Sequence, residues 1–358
     1  MNERLLSEPG AKKAGALSLQ VFPWILACLG LMLMLLVNAS IGPVHIPIKA
    51  LVNLAASRLA GADPDPSYPA SYAAILFAIR LPNAVLIALT GMALSASGAA
   101  YQGVFRNPLA DPYIIGVASG AGLGAVAAMS LHWPVDTLGM HLVPLAAFAG
   151  AVLTVSLVYA LARVGTTTPI TTLILAGVAV SAFASALTSL MMLVSTQQLH
   201  RAIAWLMGGF ALGGWEPILT ELPYLVIGIT ALILMSRPLN VLQFGDQQAL
   251  QLGLNVERYK AAILIAASLT AATAVSFAGI IGFIGLVVPH TVRLLWGADY
   301  RRLIPLSTLL GGAVLLGADI LARTVLSPQV LPVGIITSIF GAPFFLFLLR
   351  KTKQERLW

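Results

Sequence analysis

Ten stretches of this chain are apolar for roughly the thickness of a bilayer, and proline, glycine and charged residues gather between them. They run approximately over 22–45, 80–103, 113–131, 142–162, 170–194, 217–236, 258–278, 281–296, 304–323 and 333–349. A helix needs about 20 apolar residues to cross the hydrocarbon core. The pattern therefore predicts an all-α polytopic membrane protein with about ten transmembrane helices. The eighth stretch is short and contains Pro289, which predicts a broken or tilted helix. The first stretch is long enough to span, and no small-residue cleavage site follows it, so it is read as a retained first helix rather than a signal peptide.

Composition agrees with the pattern. Hydrophobic residues make up 59% of the 358 positions and charged residues only 9%, where a soluble domain carries about 25% charge. The single cysteine, Cys28, lies inside the first apolar stretch, so no disulfide framework is expected. The formal charge of +7 could suggest nucleic acid, but its placement says otherwise. With the N-terminus inside, 15 of the 20 lysines and arginines fall on the cytoplasmic side, and only Lys49, Arg58, Arg80, Arg201 and Arg323 fall outside. That bias is the one cytoplasmic loops carry in membrane proteins. It puts both termini in the cytoplasm and explains the net charge without nucleic acid. In this orientation spans two to five start outside and spans seven to ten start inside. Equal blocks of opposite sense predict inverted four-helix repeats, a transporter architecture. The expected organisation is a cytoplasmic tail over 1–21, one permease domain over 22–350 and a cytoplasmic tail over 351–358.

Chemistry is sparse. The run "GAGLG" at 120–124 resembles a nucleotide loop, but transmembrane helices flank it where that fingerprint needs a strand and a soluble helix. In "FRNPLADP", Asn107 and Pro108 stop one span, Asp111 caps the next and Pro112 opens it. Gly116, Gly120 and Gly124 recur every fourth residue, which predicts one close-packing face on span three. No GxxxxGK[ST] motif occurs, so any ATP drive must come from a partner subunit. Ion-coupled carriers keep acidic groups deep in the bilayer, and the spans read as almost free of them, with Asp319 the exception. It lies one turn before Arg323, which makes it a local ion-pair partner on the plainer reading. The histidines His45, His132, His141, His200 and His290 have no ligand spacing and no cysteine or carboxylate companion, so no metal site is expected. The segment "QLHRAIAWLMGGFAL" reads as an outer amphipathic helix with Trp205 and Trp215 as interfacial anchors.

Two regions invite functional readings. Between spans six and seven, "GDQQALQLGLNVERY" is too polar to span and reads as a short helix with Asp246 at its N-cap and Gly253 just past its end. It is either an interfacial helix on lipid headgroups or a coupling helix that docks into an ATPase groove. Span five carries Ser181, Ser185, Thr188, Ser189, Met191 and Met192. These suit either a weakly attractive pathway for a bulky cargo or ordinary packing through small residues.

Six blocks in order carry a resemblance over residues 75–350: "IRLPNAVLIALTGMALSASGAAYQGVFRNPLADPYIIGVASGAGLG", "TTLILAGVAVSAFASALTSL", "ALQLGLNVER", "FAGIIGFIGLVVPHTVR", "ADILAR" and "LPVGIITSIFGAPFFLFLLR". The chain resembles the permease subunits of type II ABC importers for ferric siderophores, haem and cobalamin, the FecCD family. The resemblance implies a homodimer of ten-helix permeases in a bacterial or archaeal cytoplasmic membrane. It further implies two ATPase subunits below, which bind ATP and Mg, and a periplasmic or lipid-anchored binding protein above that delivers the metal chelate. The chain itself would bind no cofactor and catalyse no reaction. By the same resemblance, Gln248, Ala249, Leu250, Leu252, Gly253 and Asn255 in the 237–257 loop would contact the ATPase. Arg80 and Arg323 would receive acidic residues of the binding protein. Pro169, Ile170 and Thr171 would form a cytoplasmic gate, partly apolar because Ile170 replaces a hydroxyl residue. The cobalamin-carrying permease has a further arginine where this chain has Asn83, and a "PH" dipeptide of the family matches Pro289–His290, where a structural role is implied for His290. The alternative class is an ion-coupled secondary transporter of a small metabolite, which would need titratable groups at midplane. Neither reading identifies the cargo; ferric siderophores are the first expectation.

Overall fold

The computed structural model describes residues 9–42, 44, 46–61, 65–130, 135–165, 167–194, 199–209 and 213–355. His45 and His132, and the tail residues 1–8 and 356–358, lie outside the described residues. Helices follow in the order α1 Pro9–Ser40, α2 Ile48–Ala60, α3 Ala70–Ala74, α4 Leu81–Phe105, α5 Val117–Ser130, α6 Val135–Ala162, α7 Ile170–Val194 and α8 Leu199–Leu206. Then come α9 Glu216–Leu234, α10 Ser236–Leu242, α11 Asp246–Gln251, α12 Val256–Ala278, α13 Ile284–Trp296, α14 Tyr300–Thr324 and α15 Val333–Glu355. Seven of the described helices are long and apolar enough to cross a membrane, and three shorter apolar ones, α5, α13 and Val333–Phe347 of α15, supply the rest of the ten expected spans. The protein is all-α, as the hydropathy pattern predicts.

Three elements differ from expectation. The stretch expected as a cytoplasmic tail is helical from Pro9, and α1 stops at Ser40 rather than at 45, just before Gly42 and Pro43. Helix α2 was not anticipated, because it is too short and too polar to span. Its buried Ala50, Leu54 and Ser57 recur at helical spacing, and Leu54 packs with Ala39 of α1 and Leu76. Trp205 is not an interfacial anchor: it is buried in the main core, because Val333 and Gly334 bind the Gly208 and Met207 carbonyls and draw the end of α8 inward. Trp215 remains exposed and donates its Nε1 proton to the Phe77 carbonyl at 2.9 Å.

Helix α4 is the axis of the bundle and is buried over most of its length. Its sequence explains this, since Gly91, Ser95, Ser97, Gly98, Ala99 and Ala100 are small enough to let neighbouring backbones touch it. A Cβ at Gly98 would stand 1.8 Å from the Gly285 carbonyl oxygen of α13, and one at Gly91 would stand 2.3 Å from the Gly311 oxygen of α14. Lipid tails are as apolar as leucine, so such helices associate by close contact and by polar bonds rather than by the hydrophobic effect. Those bonds are present. Ser97 donates to the Ala267 carbonyl at 2.7 Å, Tyr101 and Ser268 share a 2.6 Å bond, and Gln102 donates to the Leu286 carbonyl at 3.1 Å. Gly120 and Gly124 do form a packing face, against α6 at Gly150 and Ala146. Gly116 faces α6 as well, where a Cβ would lie 2.7 Å from Thr154, but it does so from outside the helix, at φ +92° where the short 3-10 turn Pro112–Ile115 ends.

The helix pairings follow a pseudo-twofold that exchanges α4 with α12, α5 with α13, α6 with α14 and α7 with α15. Thus α4 meets α12, α4 packs on α14 as α12 packs on α6, and α5 packs on α6 as α13 packs on α14. The two half-length helices correspond, and each follows an irregular segment. Tyr113 joins those segments: its hydroxyl donates to the Ile281 carbonyl at 2.9 Å and accepts from the Ile281 amide at 3.2 Å. Non-helical backbone at membrane depth must be satisfied within the protein, and this tyrosine does so for both half-spans at once. The broken eighth span is therefore α13, starting only at Ile284.

Candidate functional site

At the end of the bundle that the charge count assigns to the cytoplasm, the chain builds a polar shelf from α10 and α11. Helix α11 is the short helix expected in the 237–257 loop, with one change: Gly245 precedes it at φ +102°, and Asp246 is its first residue rather than its N-cap. Gly253 ends it at φ +83°, and the Gly253 and Leu254 amides bond the Leu250 and Ala249 carbonyls. That pattern closes a helix with a left-handed residue. Asn255 caps α12, its Oδ1 accepting from the Arg258 amide at 3.2 Å.

The shelf is tied down along its length. Asn240 donates to Asp299 Oδ1 at 2.7 Å while its own oxygen accepts from the Tyr300 amide, which fixes α10 to α14. Gln243 donates to the Gly103 carbonyl of α4 at 3.0 Å. Asp246 pairs with Lys260 of α12 at 2.5 Å and with Arg106, at the end of α4, at 3.5 Å. Beside the shelf, the Arg301 guanidinium hydrogen-bonds Asp299 and, with Asn240, holds its carboxyl well below the usual carboxylate range.

Against this anchored base the solvent face of the loop is apolar. Phe244, Leu250 and Leu252 are 68%, 59% and 68% exposed. Gln248, Gly253 and Asn255 are exposed beside them, whereas Ala249 is fully buried and seats α11 on the bundle. So five of the six residues assigned to ATPase contact are available at the surface and Ala249 is not. Phe244 is exposed beside them and was not singled out, because in sequence it reads as one apolar residue ahead of a glycine.

At the same end, Pro169 and Ile170 are half-buried and Thr171 is exposed at the start of α7. Along α7, Ser185 and Ser189 are exposed. Thr188 is buried and back-bonds the Ala184 carbonyl, the Ser181 hydroxyl is buried toward Gly116, and Met191 and Met192 pack on the core. The lining expected for span five thus splits. The helical period turns Ser185 and Ser189 outward and rotates Ser181, Thr188 and Met192 toward the chain's own interior.

At the opposite end both arginines singled out by the charge count are turned inward. Arg80 is 5% exposed and donates to the carbonyls of Ala39 at 3.2 Å, Ser40 at 2.8 Å and Val44. Arg323 pairs with Asp319 at 2.6 Å and donates to the Ile41 and Asn38 carbonyls. Asn38 in turn donates to Asp319 at 2.9 Å. The last carbonyls of a helix have no internal partner and carry its negative dipole end, and here two guanidinium groups satisfy them.

Asp319 is not the only acid within the spans. Glu221 of α9, inside the sixth apolar stretch, is a second. It is fully buried, and neither carboxyl oxygen has a hydrogen-bond partner. It lies on the buried stripe Ile218, Glu221, Leu225, Gly228, by which α9 packs on α4 and α12. Of the histidines, His141 bonds Glu216 at 3.0 Å and His290 is buried in α13. Among the described residues no three His, Cys, Asp or Glu side chains converge.

The family profile of the FecCD transport family matches residues 30–351. The chain belongs to the FecCD transport family. It is 43% identical over 357 aligned positions to the cobalamin import system permease protein BtuC of Halobacterium salinarum, covering 91% of this chain and 95% of that one. It is 39% identical over 285 positions to the hemin transport system permease protein HmuU of Yersinia pestis, covering 78% and 84%. Its fold matches a solved structure described as an inward-facing conformation of a metal-chelate type ABC transporter, with a TM-score of 0.79, 29% identity and coverage of 92% and 99%. This FecCD chain is a multi-pass membrane permease of the metal-chelate ABC importer type.

Proposed function

We propose that this permease carries a metal chelate (ferric siderophore, haem or cobalamin) inward across a cytoplasmic membrane, with both termini inside, powered by a separate ATPase docked on the α10–α11 shelf. The observation that carries this is the shelf itself: three large apolar side chains held in water on a base anchored to α4, α12 and α14. Exposed apolar clusters of this kind mark docking surfaces, and Leu250, Leu252 and Phe244 have the character of knobs for a groove. ATP and Mg belong to the partner. Two copies of the chain would enclose the pathway, with α7 and α15, whose outward faces carry Val178, Phe183, Ile339 and Phe340, as the surfaces brought together. The binding protein would dock at the opposite end. There Arg80 can contact it only by releasing α1, and Arg323 would present the edge of its pair with Asp319.

The test is co-purification with the ATPase subunit, then uptake of labelled ferric hydroxamate, haemin and cyanocobalamin into proteoliposomes with a binding protein. ATP-dependent uptake of one of them is the expected result, and uptake driven by a proton gradient without ATP would overturn it. Leu250→Asp should uncouple hydrolysis from uptake. One observation favours the rival, ion-coupled class: Glu221 is the buried acid such a carrier needs. Glu221→Gln separates the readings, since an ATP-driven permease keeps its uptake and an ion-coupled carrier loses it.

A further inference from the structure

The first turn of α12 holds two contacts that face different partners. On one side the Lys260 ammonium, 6% exposed, grips Asp246 at the start of α11 at 2.5 Å. On the other, one helical turn earlier, the Glu257 carboxylate accepts the Thr168 backbone N–H at 3.1 Å. Thr168 is itself buried and immediately precedes Pro169 and Ile170, where α7 begins. Arg106, the left-handed residue that ends α4 at φ +50°, holds the second oxygen of Asp246.

We propose that this turn is the transmission joint of the permease: Asp246–Lys260 and Glu257–Thr168 together carry displacement of the docked α11 helix to the start of α7. The inference rests on the reading of α11 as the ATPase contact and of 169–171 as a gate. It follows from which bonds are stiff. A short bond between a carboxylate and a buried ammonium is charge-assisted and directional. The Asp246 carboxylate sits at the helix's first residue, so it moves with the helix as a body. Within α12, residues 257 and 260 are three apart and linked by the helix's own hydrogen bonds, so a push on Lys260 moves Glu257 with it. The Thr168 amide precedes α7, where no intrahelical acceptor exists for it, and Glu257 is its partner in place of water. Moving Glu257 therefore either drags the start of α7 along or breaks this bond. The contact of Ala249 with the bundle transmits force but has no direction, whereas the ion pair and the hydrogen bond do. Glu257 and Asp246 are accordingly positioning residues that act through the gate and touch no cargo.

The experiment uses the complete complex of permease and ATPase in proteoliposomes, on a Cys28→Ser background with Thr171→Cys as reporter. Labelling of Thr171→Cys by a membrane-impermeant maleimide is measured with and without ATP plus orthovanadate. In the parent, nucleotide trapping should change the labelling rate by about 5-fold or more, the range of an ordinary coupling between sites. Glu257→Ala should reduce that ratio to near unity while ATPase co-purification stays at the parent level, and Glu257→Gln, which keeps an acceptor oxygen, should restore most of it. Asp246→Ala should have the same effect and Asp246→Glu should rescue it. Because both residues act in series, the double alanine variant should be no worse than either single one. A parent-like response in Glu257→Ala, or additive losses in the double variant, would overturn the joint. If instead the parent shows no response and no ATPase co-purifies, the failure lies with the docking and gate reading, and the joint falls with it.

Discussion

Replacing Arg80 by Gln tests whether the arginines at the outer end are structural staples or free docking groups. In the structure the Arg80 guanidinium bridges three carbonyls at and beyond the end of α1. A hydrogen bond from a charged donor contributes about 1.5–3 kcal/mol net when its acceptor is buried. Only the Ala39 carbonyl is deeply buried; those of Ser40 and Val44 are partly reached by water, which would replace most of what they lose. The favourable position of a cation at a helix C-terminus adds about 0.3–1 kcal/mol. A loss of about 2–4 kcal/mol follows, or roughly 3–6 °C in Tm for a chain of this size. Gly42 sets the geometry, since a Cβ there would lie 2.7 Å from Arg80 Nη2, so Gly42→Ala should have the same direction with a smaller effect. The assay is thermal unfolding of the isolated permease in detergent, with no binding protein present. A docking arginine would leave that Tm unchanged and alter only binding-protein affinity and its salt dependence. An Arg80→Gln permease that melts within about 1 °C of the parent would refute the staple and the arithmetic behind it.

Glu221→Leu removes a buried carboxyl that has no partner, so stability should hold or rise by about 1–3 kcal/mol; a clear fall in Tm would reveal a partner that this conformation does not contain. Gly98→Val must separate α4 from α13, because its Cβ would meet the Gly285 oxygen at 1.8 Å; a loss of about 3 kcal/mol or more is expected, read as loss of monodisperse permease, and a well-behaved variant at parent Tm would contradict the packing argument. Asp299 has its carboxyl held below the ordinary range, chiefly by Arg301. A depressed acid contributes stability above its unfolded value near pH 4, about 3.9 for a free aspartate, and that stability is lost as pH falls through the folded value. Between pH 5 and 3 the parent should therefore lose slightly more Tm than Asp299→Asn, and an identical pH profile would remove Asp299 from the anchoring of α10.

Much of the site could be read in the chain because its signals are local. The loop "GDQQALQLGLNVERY" is polar between two apolar spans, and its glycines stand where left-handed turns are needed, so α11 and its limits were legible before any contact was known. The misreadings have one cause. Asp246 was assigned a capping role because a cap is the only partner a local pattern offers, whereas its true partners, Arg106 and Lys260, are 140 and 14 residues away. Arg80 and Arg323 stood out against the charge bias, and they do lie together at one end of the bundle, at the end of α1. The bias carried no information on the carbonyls of α1 that absorb them. Ser181 and Thr188 are as polar as Ser185 and Ser189 in composition, and only the rotation of α7 in the bundle separates the buried pair from the exposed one.

By itself the sequence determined that this is a ten-span helical permease, because apolar run length and the absence of charge leave the bilayer as the only solvent that suits it. Six ordered blocks were enough to place it among the FecCD permeases. The tertiary structure alone decided that α5 and α13 are half-spans joined through Tyr113, that Glu221 is buried without a partner, and that Glu257 and Lys260 on one turn of α12 hold Thr168 before α7 and Asp246 of α11. Those facts depend on which side chains meet across the bundle. In a membrane protein that is settled by glycine-to-backbone fit and by scarce polar bonds, neither of which leaves a periodic trace in the chain.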